Sequence, residues 1–295
     1  MSPAGVLACA AEVAAVLADA AARLRAAGLA TGRLDAECLL ARALGTTRLG
    51  LYTRQPGPIP AAARAEFDRL LARRLGHEPI QYLVGEAEFA GVSLRVGRGV
   101  FIPRPETEAL VARALALGPA AAGVAVDVCA GSGALACALA RARPAWAVWA
   151  LERDAAPVAY ARANVAALGL EGRVEVLEGD LFGPLAGRLR LGTVDVVVAN
   201  PPYLAAPVLP ALPVEVREWE PAAALDGGAD GLAVIRRLVA EAPVWLRPGG
   251  VLLVEIGEEH GPAAAALIRR EARYAGGAIH RDFQGRERIL EARRR

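Results

Sequence analysis

The stretch that decides the fold reads Val124-Ala125-Val126-Asp127-Val128-Cys129-Ala130-Gly131-Ser132-Gly133. Its apolar first half predicts a strand over 124–129, and its two glycines predict a tight turn before a helix that begins at Ala134. Glycines at such a turn allow a ligand to approach the backbone, and the first N–H groups of the helix can bind its polar groups. The order of strand, glycine turn and helix is typical of nucleotide-binding α/β domains.

Strand and helix patterns alternate on the C-terminal side of this stretch. A helix is predicted over 157–168, and apolar runs predict strands over 146–151, 174–177, 194–199 and 251–256. Such near-continuous apolar runs are typical of a parallel sheet that is covered on both faces. With a closing hairpin over 278–290, the pattern predicts a doubly wound α/β domain.

The first eighty or so residues have helical spacing and carry no strand signals. Apolar positions predict three helices, over 7–24, 33–44 and 60–75. Alternation around Gly91 then predicts a β-hairpin over 88–96, and Pro105 suits the first turn of the next helix. The resulting domain prediction is a helical domain over 1–84, a hairpin linker over 85–105 and a third domain over 106–295.

Composition restricts the class of protein. The chain has 295 residues, of which 55% are hydrophobic, and its net charge is only +2. Charges interrupt every apolar run before the roughly 18 residues that a membrane span needs, and no basic segment precedes an apolar signal core. We therefore expect a cytoplasmic protein without a membrane anchor. Scattered cysteines and histidines predict no metal site, and the near-neutral charge disfavours stable binding of nucleic acid.

Two acidic residues follow the next two predicted strands. Glu152 lies about 20 residues after the glycines, where an acid accepts hydrogen bonds from ribose hydroxyls. Asp180 follows the third strand, where an acid can accept from an adenine amino group. The glycine motif also fits the dinucleotide pattern, so an NAD-dependent oxidoreductase and a purely structural turn remain alternatives at this point.

Asn200-Pro201-Pro202-Tyr203 follows the fourth strand directly, at the edge of the sheet where ligands of such folds bind. The prolines stiffen the loop, Asn200 offers a side-chain carbonyl, Pro201 offers a backbone carbonyl, and Tyr203 offers a flat ring. Two acceptors and a ring suit an –NH₂ group that is conjugated to a carbonyl or an aromatic ring. They would orient its lone pair toward an electrophilic methyl group and favour the positive charge that grows on the nitrogen.

This chemistry alone leaves the acceptor open. An amide nitrogen and the amino group of adenine are both planar and conjugated, so an N6-adenine nucleic-acid methyltransferase is the main alternative. A rigid proline turn and a binding module without catalysis are simpler alternatives. They become less attractive because Glu152 and Asp180 precede the tetrapeptide on neighbouring strands.

Several blocks outside the tetrapeptide resemble the PrmC (HemK) family of protein-(glutamine-N5) methyltransferases. The resemblance covers essentially the whole chain and is carried by the segments 74–82 (RLGHEPIQY), 101–108 (FIPRPETE), 200–203 (NPPY), 226–232 (DGGADGL), 253–257 (LVEIG) and 281–288 (RDFQGRER). The family combines an N-terminal helical bundle, a hairpin linker and a Rossmann-like class I methyltransferase domain with a seven-stranded, mostly parallel sheet.

The resemblance implies S-adenosylmethionine as methyl donor and class I peptide chain release factors as protein substrates, methylated on the glutamine of a Gly-Gly-Gln motif. Asn200, Pro201 and Tyr203 would be catalytic, and Pro202 would complete the substrate-binding loop. The helical domain would help to recognise the release factor. The implied cofactor-binding residues are Cys129, Ala130, Gly131, Ser132, Gly133, Glu152, Asp180, Leu181 and Asn200.

Three positions depart from the family pattern. Cys129 stands where the family usually has glycine, so its side chain must point away from the cofactor or narrow the pocket. Glu152 replaces the aspartate of many members and should still reach a ribose. Leu181 replaces an aromatic residue of some members, which predicts weaker packing against adenine.

Overall fold

The computed structural model describes residues 3–53 and 57–295, with side chains described from residue 11 onward. It forms two compact units. One comprises the residues up to Gly85 together with Val214–Trp219, and the other comprises Glu86–Pro213 and Glu220–Arg295. None of the described helices is long and apolar enough to cross a membrane.

The regular elements follow one another in chain order. The helices are α1 (Pro3–Ala26), α2 (Gly32–Ala43), α3 (Gly50–Thr53), α4 (Ala61–Leu75), α5 (Ile80–Val84), α6 (Glu108–Leu117), α7 (Ala134–Ala142), α8 (Ala155–Ala167), α9 (Val214–Arg217), α10 (Ala233–Trp245) and α11 (Gly261–Arg270). The strands are β1 (Glu86–Phe89), β2 (Val92–Arg95), β3 (Gly123–Val128), β4 (Trp146–Glu152), β5 (Val174–Glu178), β6 (Val194–Ala199), β7 (Leu246–Glu255), β8 (Tyr274–Arg281) and β9 (Glu287–Arg294).

The helical unit packs around leucines and one phenylalanine, among them Leu17, Leu39 and Phe67. Its buried Arg74 on α4 donates to Asp35 on α2 and to Glu215 on α9, at 2.7 Å each. A buried guanidinium needs such anionic partners, because desolvation without them is costly. The segment 214–219, which we had assigned to the α/β domain from sequence, thus groups with the helices.

The hairpin of β1 and β2 begins the second unit. Its strands pair antiparallel with Glu86 opposite Arg95. Ala90 and Gly91 form the turn with positive φ angles of 46° and 77°, the combination that a two-residue type I′ turn requires.

Seven strands form the main sheet in the order β5-β4-β3-β6-β7-β9-β8. Strands β3 to β7 are parallel, and β9 is antiparallel to both of its neighbours. This arrangement confirms the class I methyltransferase fold expected from the sequence. Helices α6, α7 and α8 cover one face of the sheet, and α10 and α11, which we had not predicted individually, cover the other.

The strand order positions the site. Strand β3 lies between β4 and β6, so the connections leave it in opposite directions along the sheet. Ligands of open α/β sheets bind at such a switch point, beyond the carboxyl ends of the strands. The predicted site residues lie at the ends of β3, β4, β5 and β6 or in the loops that follow these strands, all at this one edge of the sheet.

Candidate active site

Three residues in the loop after β3 have left-handed backbone conformations. Cys129, Gly131 and Gly133 have φ angles of 61°, 55° and 78°. A Cβ atom added to Gly131 would meet nothing within 4 Å, whereas one on Gly133 would lie 3.3 Å from the Cβ of Ala161. Gly133 therefore allows α8 to pack closely, and Gly131 leaves open space beside the loop, as a ligand that approaches the backbone would need.

Asp127 and Glu152 hold this loop through its backbone N–H groups. Asp127 Oδ2 accepts from the N–H of Ala136 in the first turn of α7 at 3.0 Å. Glu152 accepts from the N–H of Gly131 at 2.9 Å and, with its other oxygen, from that of Asp154 at 3.0 Å. Each carboxylate oxygen can accept more than one hydrogen bond, so Glu152 retains capacity for ribose hydroxyls.

In the loop after β5, the backbone is fixed beside β4, whereas the Asp180 carboxylate points to helix α10. The N–H of Gly179 donates to the carbonyl of Glu152 at 2.9 Å, which fixes this loop beside the end of β4. Leu181 is buried and has a positive φ of 43°. The carboxylate of Asp180, however, pairs with Arg237 on α10 at 2.9 Å. This contact uses Asp180 Oδ2, so a bound adenine would compete with Arg237 for that oxygen or bind to Oδ1.

The departure at Cys129 has a structural explanation. Its side chain packs against the core on the α10 and α11 side of the sheet, and burial raises the pKa of its thiol. Cys129 is thus a neutral apolar side chain on a left-handed backbone. Cys129 and Leu181 are two of the four non-glycine residues with positive φ in the described part of the chain. Such strained positions concentrate at functional sites.

A chain of four side chains forms the acceptor end. Asn200, directly after β6, donates through Nδ2 to Thr107 Oγ1 at 3.2 Å, and Thr107 donates to Glu255 Oε2 at 2.6 Å. The hydroxyl of Tyr203 donates to Glu255 Oε1 at 3.1 Å. Glu255, at the end of β7, therefore links both polar side chains of the tetrapeptide.

Burial governs the protonation of this chain. It raises the pKa of Glu255, while the hydrogen bonds from Thr107 and Tyr203 and the charge of Arg288 oppose that rise. It also raises the pKa of Tyr203, and the nearby Glu255 carboxylate adds to this effect. The phenol therefore stays protonated and remains a hydrogen-bond donor.

The tetrapeptide is enclosed by the 226–232 loop. Leu204 and Asp226 form a parallel bridge, and the N–H of Gly227 donates to the carbonyl of Leu204 at 2.8 Å. A Cβ atom on Gly227 would lie 2.8 Å from the carbonyl oxygen of Pro202, and one on Gly231 would collide with the carbonyl of Tyr203. The glycines of this loop are therefore required for its close packing on the Asn-Pro-Pro-Tyr backbone.

The 101–108 segment, which carries Thr107, is held by a buried acid. Glu220 accepts from the backbone N–H of Ile102 at 3.1 Å and pairs with Arg104. The guanidinium of Arg104 lies 4.6 Å from the ring centroid of Phe101, within cation–π distance.

Sequence reasoning missed the roles of Thr107, Glu220 and Glu255. All three are buried polar residues. For Glu255 a signal did exist, because it is the one acid in the apolar run from Val251 to Ile256. A lone acid at the end of a buried strand needs hydrogen-bond partners, and here they are Thr107 and Tyr203.

The cofactor end fits a nucleoside-bearing methyl donor. It combines open space at Gly131, an acid at the end of β4 and a buried Leu181 on the neighbouring loop. The acceptor end follows β6, the next strand on the other side of β3. Fold and site together define the class, an S-adenosylmethionine-dependent methyltransferase. Within residues 3–53 and 57–295, no cluster of three or more His, Cys, Asp or Glu side chains could hold a metal ion.

Comparisons with known proteins agree with this class and also indicate the family within it. Residues 15–85 match the PrmC N-terminal domain, and residues 106–209 match the methyltransferase small domain. The release factor glutamine methyltransferase of Mycolicibacterium smegmatis is 43% identical over 93% of this chain and 95% of its own. The release factor glutamine methyltransferase of Moorella thermoacetica is 41% identical over 95% of this chain and 97% of its own. The chain belongs to the release factor glutamine methyltransferase (PrmC/HemK) family, as the sequence motifs indicated.

Solved structures share the fold at low identity. The hMettl16 catalytic domain, solved in complex with an RNA hairpin, has a TM-score of 0.55 and 16% identity, over 76% of this chain and 81% of its own. A methyltransferase from Pyrococcus furiosus has a TM-score of 0.51 and 19% identity, over 77% and 98%. Both confirm the methyltransferase fold.

Proposed function

We propose that this enzyme transfers a methyl group from S-adenosylmethionine to the side-chain amide nitrogen of the glutamine in the Gly-Gly-Gln motif of class I release factors. The observation that carries the proposal is the arrangement of Asn200 and Tyr203. They follow β6 at the switch point of the sheet and are both bonded into the Thr107–Glu255 pair. The names of the relatives support the same substrate.

Residues of three loops would hold the cofactor. When bound, S-adenosylmethionine supplies an electrophilic methyl group on a sulfonium. The loop of Cys129, Ala130, Gly131, Ser132 and Gly133 would lie against the cofactor. Glu152 would accept hydrogen bonds from its ribose hydroxyls. Asp180 and Leu181 would meet the adenine, with Asp180 accepting from its amino group. Asn200 would lie between cofactor and substrate.

At the acceptor end, the residues orient a poor nucleophile. The amide lone pair is delocalised, and two acceptors, Asn200 Oδ1 and the Pro201 carbonyl, would hold the two N–H bonds so that the lone pair points at the methyl group. Both acceptors favour the positive charge that develops on nitrogen. Tyr203 would stack on the planar amide, and Pro202 keeps the loop stiff. The nitrogen becomes acidic only once methylated, so water can take its proton and no strong base is needed.

The helical unit is proposed to recognise the release factor. The match of residues 15–85 to the PrmC N-terminal domain, which is separate from the match of residues 106–209 to the methyltransferase small domain, supports this role. The small net charge of +2 favours a protein surface over a nucleic acid as the partner.

A methylation assay with labelled cofactor tests this proposal. The purified chain is given a class I release factor, the same factor with its Gly-Gly-Gln glutamine changed to alanine, and DNA. We expect label only in the unchanged release factor. Equal label in the alanine variant would overturn the glutamine assignment, and label in DNA would support the N6-adenine alternative.

A further inference from the structure

The hydroxyl of Thr107 determines the direction of the hydrogen bonds around it. It has one proton, which it donates to Glu255 Oε2 at 2.6 Å, the short distance of a charge-assisted bond. Its oxygen can therefore only accept in the contact with Asn200. The group of Asn200 that meets Thr107 must be the Nδ2 amino group, as the 3.2 Å contact has it.

This direction decides which end of the Asn200 amide remains for substrate. If the amide were rotated by 180°, Oδ1 would meet the lone pairs of Thr107 and the contact would become repulsive. We propose that Thr107 and Glu255 are positioning residues that hold the Asn200 amide in the one orientation that presents Oδ1 to the acceptor nitrogen. The inference deepens the proposed function and rests on it.

Glu255 is suited to this role because it can only accept when ionised. Its two oxygens receive Thr107 and Tyr203, so one carboxylate orients both polar side chains of the tetrapeptide. It is buried, and water therefore does not compete for these bonds. A glutamine at this position would have the same shape but would point an NH₂ group at one of the two donors. The hydroxyl of Thr107 or Tyr203 that faces this NH₂ group would then have to accept from it, which reverses that hydrogen bond and turns the hydroxyl proton elsewhere.

Four single variants test the proposal. Thr107→Val keeps the shape of the side chain and removes the hydroxyl, whereas Thr107→Ser keeps the hydroxyl. Glu255→Gln keeps the shape and reverses one hydrogen bond. Thr193→Val is the matched control, because the Thr193 hydroxyl donates to the backbone carbonyl of Arg190 in an exposed hydrogen bond. Each is assayed for kcat on the release factor, for Kd of S-adenosylhomocysteine and for its thermal unfolding midpoint.

We expect kcat to fall about 10²-fold for Thr107→Val and Glu255→Gln, the size seen when a positioned polar group is lost from an active site. Thr107→Ser should recover most of the loss, and Thr193→Val should behave as the wild type. The Kd of S-adenosylhomocysteine should stay within about threefold, far below the tenfold that one lost hydrogen bond can cost in affinity. A loss of general stability would instead lower kcat, cofactor affinity and unfolding midpoint together.

A second readout does not depend on activity. In ¹⁵N-labelled protein, the side-chain NH₂ signals of Asn200 are identified by their absence from Asn200→Ala. Thr107→Val should shift these signals, because it removes their acceptor, and Thr193→Val should leave them in place. If Thr107→Val left both these signals and kcat unchanged, this inference would be overturned, while the proposed function would still stand. Failure of the wild type to methylate the release factor would overturn the proposed function, and this inference with it.

Discussion

The cofactor end and the acceptor end are built in different ways. At the cofactor end, carboxylates accept from backbone N–H groups that are near in sequence: Asp127 bonds Ala136, 9 residues away, and Glu152 bonds Gly131, 21 residues away. At the acceptor end, side chains bond side chains across 93 residues from Asn200 to Thr107 and 148 from Thr107 to Glu255. Local backbone geometry thus shapes the cofactor end, and tertiary packing assembles the acceptor end.

Asp127 at the cofactor end and Glu255 at the acceptor end are both buried acids, and they differ in how fully they are bonded. Glu255 receives a donor on each oxygen. Asp127 uses Oδ2 for Ala136, while its buried Oδ1 meets no hydrogen-bond partner among the described residues. Asp127 can therefore carry a proton without breaking the bond it makes. On Glu255 a proton would compete with one of the two donors, Thr107 or Tyr203.

The largest predicted effect is a loss of kcat in a variant that changes the acceptor end alone. Asn200→Ala removes the Oδ1 acceptor and should lower kcat on the release factor by about 10³-fold, the upper range for loss of one oriented polar group. The affinity for S-adenosylhomocysteine, measured by calorimetry, should change by less than about tenfold, because the glycine loop and Glu152 remain. Wild-type turnover by this variant would show that the proposed mechanism is wrong.

A second variant breaks the cofactor end alone. Glu152→Gln retains one acceptor for Gly131 or Asp154 but loses the charge that would hold the ribose hydroxyls. We expect the Kd of S-adenosylhomocysteine to rise about 10- to 10²-fold, since hydrogen bonds to charged groups contribute roughly 1.5–3 kcal/mol. At saturating cofactor, kcat should stay within about threefold of the wild type. If kcat fell as far as in Asn200→Ala, the two ends would not be separable.

The same difference explains what the sequence could predict. Cys129–Gly133 and Asn200–Tyr203 are contiguous, and each follows an apolar strand, so spacing alone placed them at one edge of the sheet. Thr107 and Glu255 were visible only as members of family blocks. Their partners lie in distant segments, so no local pattern assigned them a role. The grouping of Val214–Trp219 with the helices was equally hidden, because it depends on the burial of Arg74 between Asp35 and Glu215.

A third prediction concerns the incompletely bonded acid of the cofactor end. Burial raises the pKa of Asp127 from an ordinary 3.8 to about 8. The folded protein therefore holds this proton to higher pH than the unfolded chain, and stability is lost as pH rises between these values. Asp127→Asn does not titrate, so the wild type should lose stability relative to the variant by at most about 1.4 kcal/mol per pH unit in that window.

Urea unfolding of both proteins at several pH values from 4 to 9 measures this difference in the free energy of unfolding. A difference that stays constant over the window would show that Asp127 is ionised in the folded state throughout. It would also mean that its Oδ1 has a partner that compensates the charge.

The smallest predicted effect concerns Asp180, a proposed cofactor-binding residue whose carboxylate is held in an ion pair. Asp180 pairs with Arg237, and both side chains are about half exposed, at 51% and 48%. Such a pair contributes only about 0–1 kcal/mol, so a bound adenine can displace Arg237 at little cost. Arg237→Ala should tighten binding of S-adenosylhomocysteine by no more than about fivefold.

Arg188→Ala is the matched control for this variant, because it removes the same charge from another exposed ion pair, with Glu175, in the same unit. It should leave the Kd unchanged, whereas Asp180→Ala should raise it. If Arg237→Ala instead weakened binding as Asp180→Ala does, Asp180 would act through its ion pair with Arg237. The cofactor end would then also depend on a side-chain contact between distant segments, and the contrast with the acceptor end would be one of degree.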